Sequence, residues 1–209
     1  MAVNSIVTNA SAFVALRNMT NINQAMQTTQ NRVSTGLRVA SALDDASNFA
    51  IAQGIRTELK AYQAVTQGLN NTKGIGKVAL AGATGVSNLL GDIRAKMTEL
   101  ANEGITAAQR TILSSDFTKL MSQAGNFIAN ADFNGVNVLE TAQTSITTLS
   151  NLNAGSITLN KQDLQTTAAA LAAISVATGA TITSSAITSE FAALETAVNT
   201  ALGGLGADV

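Results

Sequence analysis

The chain has 209 residues, 46% of them hydrophobic but only 3% aromatic, and alanine dominates the apolar set, which favours close helix–helix packing over a large aromatic core. Cys and His are absent, which excludes disulfides, thiolate chemistry and the common imidazole metal sites. A formal charge of −1 with no Lys/Arg cluster gives nucleic acid no footing, and no stretch is long and apolar enough to span a membrane.

Other features of the composition concern shape and association. Proline is absent, which permits uninterrupted helices. A weakly charged surface does little to oppose self-association. The opening MAVNSIVTNASAFVAL lacks a basic n-region and a continuous apolar run, so it is a poor signal peptide, and composition alone places the protein in the cytoplasm.

In chain order, residues 4–33 read as a helix. Ala12, Ala15, Met19, Ile22, Met26, Thr29 and Val33 alternate spacings of three and four, with Phe13 and Leu16 beside them. The opposite face is Asn, Gln, Thr and Ser, and such a helix is marginal by itself. Val33–Ile51 then reads as a joint between two long helices. Gly36 suits a helix stop because it takes positive φ at little cost. Ser41 followed by Asp44 resembles a capping box that starts the second helix. Asp44 and Asp45 are expected in its first turn, where the helix end favours carboxylates, with Arg32 and Arg38 near enough to neutralise them.

Residues 42–102 carry the longest pattern: Ala52, Ile55, Leu59, Tyr62 and Leu69 mark one half, and Val86, Leu90, Ile93, Met97 and Leu100 the other. A continuous helix of ~60 residues would be a rod of roughly 90 Å. Its weak middle holds Gly68, Gly74, Gly76, Gly82 and Gly85. Tertiary packing is expected to keep it helical with close backbone approach at the glycines; a break over residues 74–85 is the alternative. Asn102-Glu103-Gly104 is a C-cap signal. A third helix, from about Ala107 to Ala131, presents Leu113, Phe117, Leu120, Ala124 and Phe127 and folds back antiparallel. Asn134-Gly135 makes a turn, Val136–Leu139 begins a strand, and Thr144–Leu149 pairs with it. Residues 150–185 are rich in Ser, Thr, Ala and Gly. Within them Ser156–Leu159 is β-like, Leu164–Ile174 is a helix candidate, and Thr178–Ser185 is a strand or a loop. Ser189–Leu202 reads as a helix with Phe191, Leu194, Val198 and Leu202 on one face.

Nothing here assembles a catalytic site. No base can be built on His, and adjacent Asp44 and Asp45 point about 100° apart on a helix. Asp116, Asp132 and Glu140 are too scattered for a calcium loop, and the glycines match neither a phosphate loop nor a dinucleotide fingerprint. The reading is therefore no enzyme, no cofactor and no metal. Three N-glycosylation patterns, at Asn9, Asn18 and Asn70, fall on predicted packed helices and read as coincidence.

The joint S-T-G-L-R-V-A-S-A-L-D-D-A-S-N resembles the segment near the N-terminus of bacterial flagellins, commonly S-T-G-L-R-I-N-S-A-K-D-D-A-A-G. Ser34, Thr35, Gly36, Leu37, Arg38, Ser41, Ala42, Asp44, Asp45 and Ala46 match; Ala40, Leu43 and Asn48 depart from the usual Asn, Lys and Gly. F-N-G-V-N-V-L at Phe133–Leu139 resembles the opening of the family's β-hairpin, and Ile6–Asn9 and Leu16–Met19 also fit.

The resemblance implies a mainly α fold, a long antiparallel helical rod or coiled coil with a small β-hairpin and a short variable outer region. It implies a polymer-core helix over 1–40, a rod domain over 41–150, the outer region over 151–187 and the start of a return helix over 188–209. Flagellins continue into a long C-terminal return helix, and this sequence reads as the N-terminal two-thirds or so of a short one. The form given is therefore expected to build no filament alone, with residues 1–40 partly disordered or completed by another chain. Phe13, Leu16, Met19, Ile22 and Met26 are the expected polymer-core packing residues, and Gly36, Arg38, Asp44 and Asp45 the inter-domain joint. The implied role is a filament subunit serving motility, self-assembled with other flagellin subunits. An export chaperone and a cap would be partners, and the chain would be extracellular, exported unfolded without a cleaved signal. A hook–filament junction protein and a flagellin-like adhesin or polysaccharide binder are the alternatives; scarce aromatics oppose a sugar site. The family's outer Ser and Thr residues are often O-glycosylated, which points to Thr141–Ser189. Its rod is also recognised by a toll-like receptor. Arg94 matches one basic position of that motif as a receptor-facing residue, while Asp92 and Lys96 stand where the pattern has Arg and Leu, so weak or absent activation is expected.

Overall fold

The three–four spacing of apolar residues becomes helix over most of the chain. The computed structural model describes residues 9–173, 185 and 187–208. The elements are α1 (Ala10–Thr35), α2 (Ala46–Leu100), α3 (Ala107–Ala129), β1 (Ile146–Leu149), β2 (Ser156–Leu159), α4 (Leu164–Ala173), a π-helical turn (Ile187–Phe191) and α5 (Ala192–Asp208). The fold is mainly α, with long helices and a two-stranded antiparallel sheet. The expected strand or loop at Thr178–Ser185 lies outside the described residues but for Ser185. Two units divide the chain, Met1–Ala61 and Tyr62–Val209.

In the first unit α1 is capped at both ends. The Asn9 side chain accepts hydrogen bonds from the backbone N–H of Ser11 (3.0 Å) and Ala12 (3.3 Å). Gly36 closes the helix with φ +67°, the left-handed conformation that side chains resist. No residue of α1 is buried. Along the helix Thr20, Thr28, Thr29 and Thr35 each donate the hydroxyl to the carbonyl four residues earlier.

The second unit holds the core. From α2 it takes Ile75, Ala79, Ala83, Val86, Ile93, Met97 and Leu100; from α3 Phe117, Met121, Ala124 and Ile128; from α5 Leu194, Val198, Ala201 and Leu205. The α3 stripe is turned slightly from the expected one: Met121 and Ile128 are buried where Leu120 and Phe127 were expected, and Phe127 stays 38% exposed. The α5 stripe likewise continues to Leu205, with Leu202 only partly buried.

The glycines of α2 do not break it. A Cβ at Gly74 would meet the Phe133 ring at 2.8 Å, at Gly82 the Ala131 Cβ at 2.7 Å, and at Gly85 the Phe127 ring at 2.8 Å. Each is a place where another element approaches the helix backbone, which offsets the weak helix propensity of glycine. The partners climb in number as the glycines fall, so α3 and the segment after it run antiparallel to this part of α2.

Three local expectations are corrected. First, α2 ends at Leu100, ahead of the Asn102-Glu103-Gly104 signal. The buried Arg110 guanidinium donates to the carbonyls of Leu100 and Asn102, satisfying groups a C-terminal glycine would otherwise leave to solvent. Arg110 is placed by a capping box, with Thr106 and Gln109 each bonding the other's backbone N–H.

Second, Val136–Leu139 is not a strand. Asn134 (φ 57°) and Gly135 (φ 79°) make a tight turn closed by the Phe133–Val136 bridge. Asn137 then ends any ladder: its side chain donates to the Ile128 carbonyl (2.6 Å) and accepts from Leu139 N–H (3.0 Å). Val138 and Leu139 fall into the core instead.

Third, the hairpin is shifted along the chain. β1 pairs with β2 from Ile146↔Leu159 to Leu149↔Ser156, and Thr148 reaches back to share a hydroxyl bond with Thr72.

Candidate assembly surface

A helix that buries nothing still carries an apolar stripe. Phe13 is 63% exposed, Leu16 62%, Met19 63%, Ile22 61% and Met26 54%. Spacing puts Leu16, Met19, Ile22 and Met26 along one side of α1 with Phe13 beyond its edge, and each keeps the exposure that a solitary helix leaves its side chains. Val33 extends the apolar set to the end of the helix. Ile55, Leu59 and Tyr62 of the first α2 stripe are exposed too, as is Ile51. Periodicity records that a face is meant for cover; it does not say which molecule supplies the cover.

The joint between α1 and α2 is built by short polar side chains. Asp44 Oδ2 accepts from the N–H of Ala40 and of Ser41, both at 3.1 Å, and from the Ser41 hydroxyl. The Ala40 amide, then that of Ser41, holds the Asp44 carboxyl below its ordinary 3.8, with Arg32 adding a small charge effect. Asp45 Oδ1 accepts from Asn48 N–H at 3.0 Å, and the Asn48 amide group reaches the other oxygen. The Asn48 backbone and side chain lower Asp45, and the Arg38 charge adds to them.

This corrects the expected start of α2. The helix begins at Ala46, and neither aspartate is in its first turn. Asp44 is engaged by the two amides upstream, which holds the chain there in a loop. Asp45 takes the position just before the helix and covers an amide within its first turn.

Arg94 stands on α2 with its guanidinium 5.5 Å from the centre of the Phe191 ring, a cation–π contact. Lys96 forms an ion pair with Glu99 at 2.8 Å. Sequence reasoning missed the exposure of Leu43, whose side chain lies 99% in solvent within the joint. Its only signal is a leucine set directly before the paired aspartates Asp44 and Asp45. Among the described residues no cluster of Asp or Glu could hold a metal ion, and no helix is long and apolar enough to cross a membrane.

The model of the bacterial flagellin N-terminal helical region matches residues 6–144. Flagellin FljK of Caulobacter vibrioides is 32% identical over 199 residues, covering 95% of this chain and 73% of that protein. A flagellin of Brucella melitensis is 28% identical over 149 residues, 71% of this chain and 52% of that one. The crystal structure of Bacillus cereus flagellin shares the fold with a TM-score of 0.52 at 20% identity, over 66% of this chain and 80% of that one.

Proposed function

The chain belongs to the bacterial flagellin family, and we propose that the unpaired stripe of α1 carries its work as a structural subunit of the flagellar filament. The observation that carries the reading is that Leu16, Met19, Ile22 and Met26 share one side of a helix, with Phe13 beyond its edge, and all five stay more than half exposed. Covering the exposed part of each contributes about 1–2 kcal/mol. Repeating one heterologous interface along a helical lattice multiplies that modest sum many times. The polymer is made with other flagellin subunits, outside the cell.

Gly36, Arg38, Asp44 and Asp45 set the path of the chain between the polymer-core helix and α2. Export chaperone and cap are the partners the family suggests, with passage through the secretion channel unfolded and without a cleaved leader. Arg94 is the receptor-facing candidate, although its guanidinium is already stacked on Phe191.

The test is substitution in cells that assemble the protein together with other flagellin subunits. Leu16→Ser with Ile22→Ser should shorten or abolish filaments by electron microscopy while secreted monomer persists. Normal filaments from the double variant would remove the stripe from the mechanism. Substitutions on the polar side, Gln24→Ser for instance, should leave filament length unchanged.

A further inference from the structure

Of the asparagines in this sequence, Asn134 is the one that a glycine follows, and both residues of the pair are exposed. Such a pair is the least hindered setting for attack of a backbone nitrogen on the asparagine side chain, because glycine places no Cβ beside that nitrogen. The attack requires the Gly135 N–H to give up its proton. It also requires rotation about the Asn134 Cα–C bond until a five-membered ring can close. The fold opposes both. The Gly135 N–H donates to Asp132 Oδ1 at 3.1 Å, and a carboxylate acceptor favours keeping the proton on nitrogen. Two bonds cross the turn, from Phe133 N–H to the Val136 carbonyl at 3.0 Å and from Val136 N–H to the Phe133 carbonyl at 3.1 Å. They hold Asn134 and Gly135 at positive φ, the pairing that a tight two-residue turn demands. Buried residues stand on either side, Ala131 before the turn and Asn137 to Leu139 after it, so neither end is free to pivot.

We propose that Asn134 is a deamidation site that the folded turn keeps unreactive, with Asp132 positioned to withhold the Gly135 nitrogen. When the turn is open, hydroxide removes the Gly135 N–H proton and the nitrogen forms a bond to Asn134 Cγ. The side-chain nitrogen takes up a proton and leaves as ammonia, and the product is a succinimide. Water then opens the ring at one carbonyl or the other, which leaves aspartate or isoaspartate. The balance is one water consumed and one ammonia released, with no change of oxidation state. Isoaspartate adds a carbon to the backbone inside the turn, and either product sets a second carboxylate beside Asp132. A chain that reacts before it folds therefore cannot restore the same turn.

The test compares the full chain with its Asp132→Ala and Asp132→Asn variants in mildly alkaline buffer, folded and in urea. The peptide containing position 134 is followed by mass spectrometry, and isoaspartate is counted by methyltransferase labelling. In urea all three chains should lose the amide at one rate. Folded, the wild type should react slower by about tenfold or more, since only the opened turn is competent. Asp132→Ala should recover much of that difference while the Val136 amide stays protected from exchange. Asp132→Asn, whose side-chain oxygen still accepts the bond, should fall between them. No reaction at position 134 in urea overturns the site. Equal folded and unfolded rates in the wild type overturn protection by the turn. Equal folded rates in the wild type and Asp132→Ala overturn the part given to Asp132. If Asp132→Ala does not fold, Asp132→Asn decides the same point: a folded rate equal to that of the wild type denies the carboxylate its role.

Discussion

Gly82 gives the sharpest test of how α2 is held. An alanine there would gain about 1 kcal/mol of helix propensity over glycine. Its methyl would lie 2.7 Å from the Ala131 Cβ, 3.0 Å from the Phe127 carbonyl oxygen and 3.1 Å from the Leu139 Cδ1. The first two atoms belong to or adjoin backbone, so they yield only if the end of α3 shifts. Overpacking of that kind costs about 1–3 kcal/mol, which leaves Gly82→Ala a net loss of up to about 2 kcal/mol. Gly91 is the control: it sits in the same helix with nothing within 4 Å of its added methyl. Gly91→Ala should gain up to about 1 kcal/mol. At about 2–4 °C per kcal/mol for a chain of this size, the two variants should melt on opposite sides of the wild type. Thermal unfolding of secreted monomer, followed by circular dichroism, measures this. If Gly82→Ala melts at or above Gly91→Ala, close approach is not what the glycine serves. Gly85→Ala should fall between them, because the ring it meets, Phe127, is 38% exposed and free to swing.

Arg110→Lys should destabilise by about 2–3 kcal/mol in urea unfolding, since an ammonium cannot span the Leu100 and Asn102 carbonyls as a guanidinium does; an unchanged midpoint would deny Arg110 its capping role. Asp44 and Asp45 have folded values below the ordinary 3.8, so the support they give the joint is present above that value and lost as pH falls through their folded values. Amide protection at Ala40, Ser41 and Asn48, corrected for the intrinsic pH dependence of exchange, should therefore fall only in that acid range, and Asp44→Asn should abolish that fall at Ala40. With Arg94 stacked on Phe191, Lys96 paired to Glu99 and Asp92 reversing a charge, a toll-like-receptor reporter assay should register weak or no response; full potency from assembled protein would contradict this.

The long helices were legible because period and cap agree. The three–four stripe from Ala12 to Val33 falls almost wholly in α1, and Gly36 stops it where its φ freedom suggests. The stripe Val86–Leu100 names residues that do line the core. What stayed hidden depends on atoms far apart in sequence or on side chains that compete with the backbone. Val136–Leu139 has the alternation of a strand, but the Asn137 amide takes hydrogen bonds that a ladder would need. The end of α2 is fixed by an arginine ten residues downstream, which no local signal announces. At the joint, two adjacent carboxylates resemble a first-turn pair until their bonds are traced to different amides. The apolar side of α1 was legible as a stripe, whereas its exposure was not, because a pattern carries no information about where its cover comes from.

The threonines of α1 turn their hydroxyls inward to their own helix, and Thr57 and Thr66 do the same along α2. A neighbouring molecule laid against one of these threonines meets its methyl group, with that hydroxyl's donor already spent. At those positions it can slide by a fraction of a turn without unmaking a bond donated by a threonine. A propeller shaft that must flex at every revolution is well served by flanks of this kind, which behave as a dry bearing where interlocked hydrogen bonds would behave as a weld.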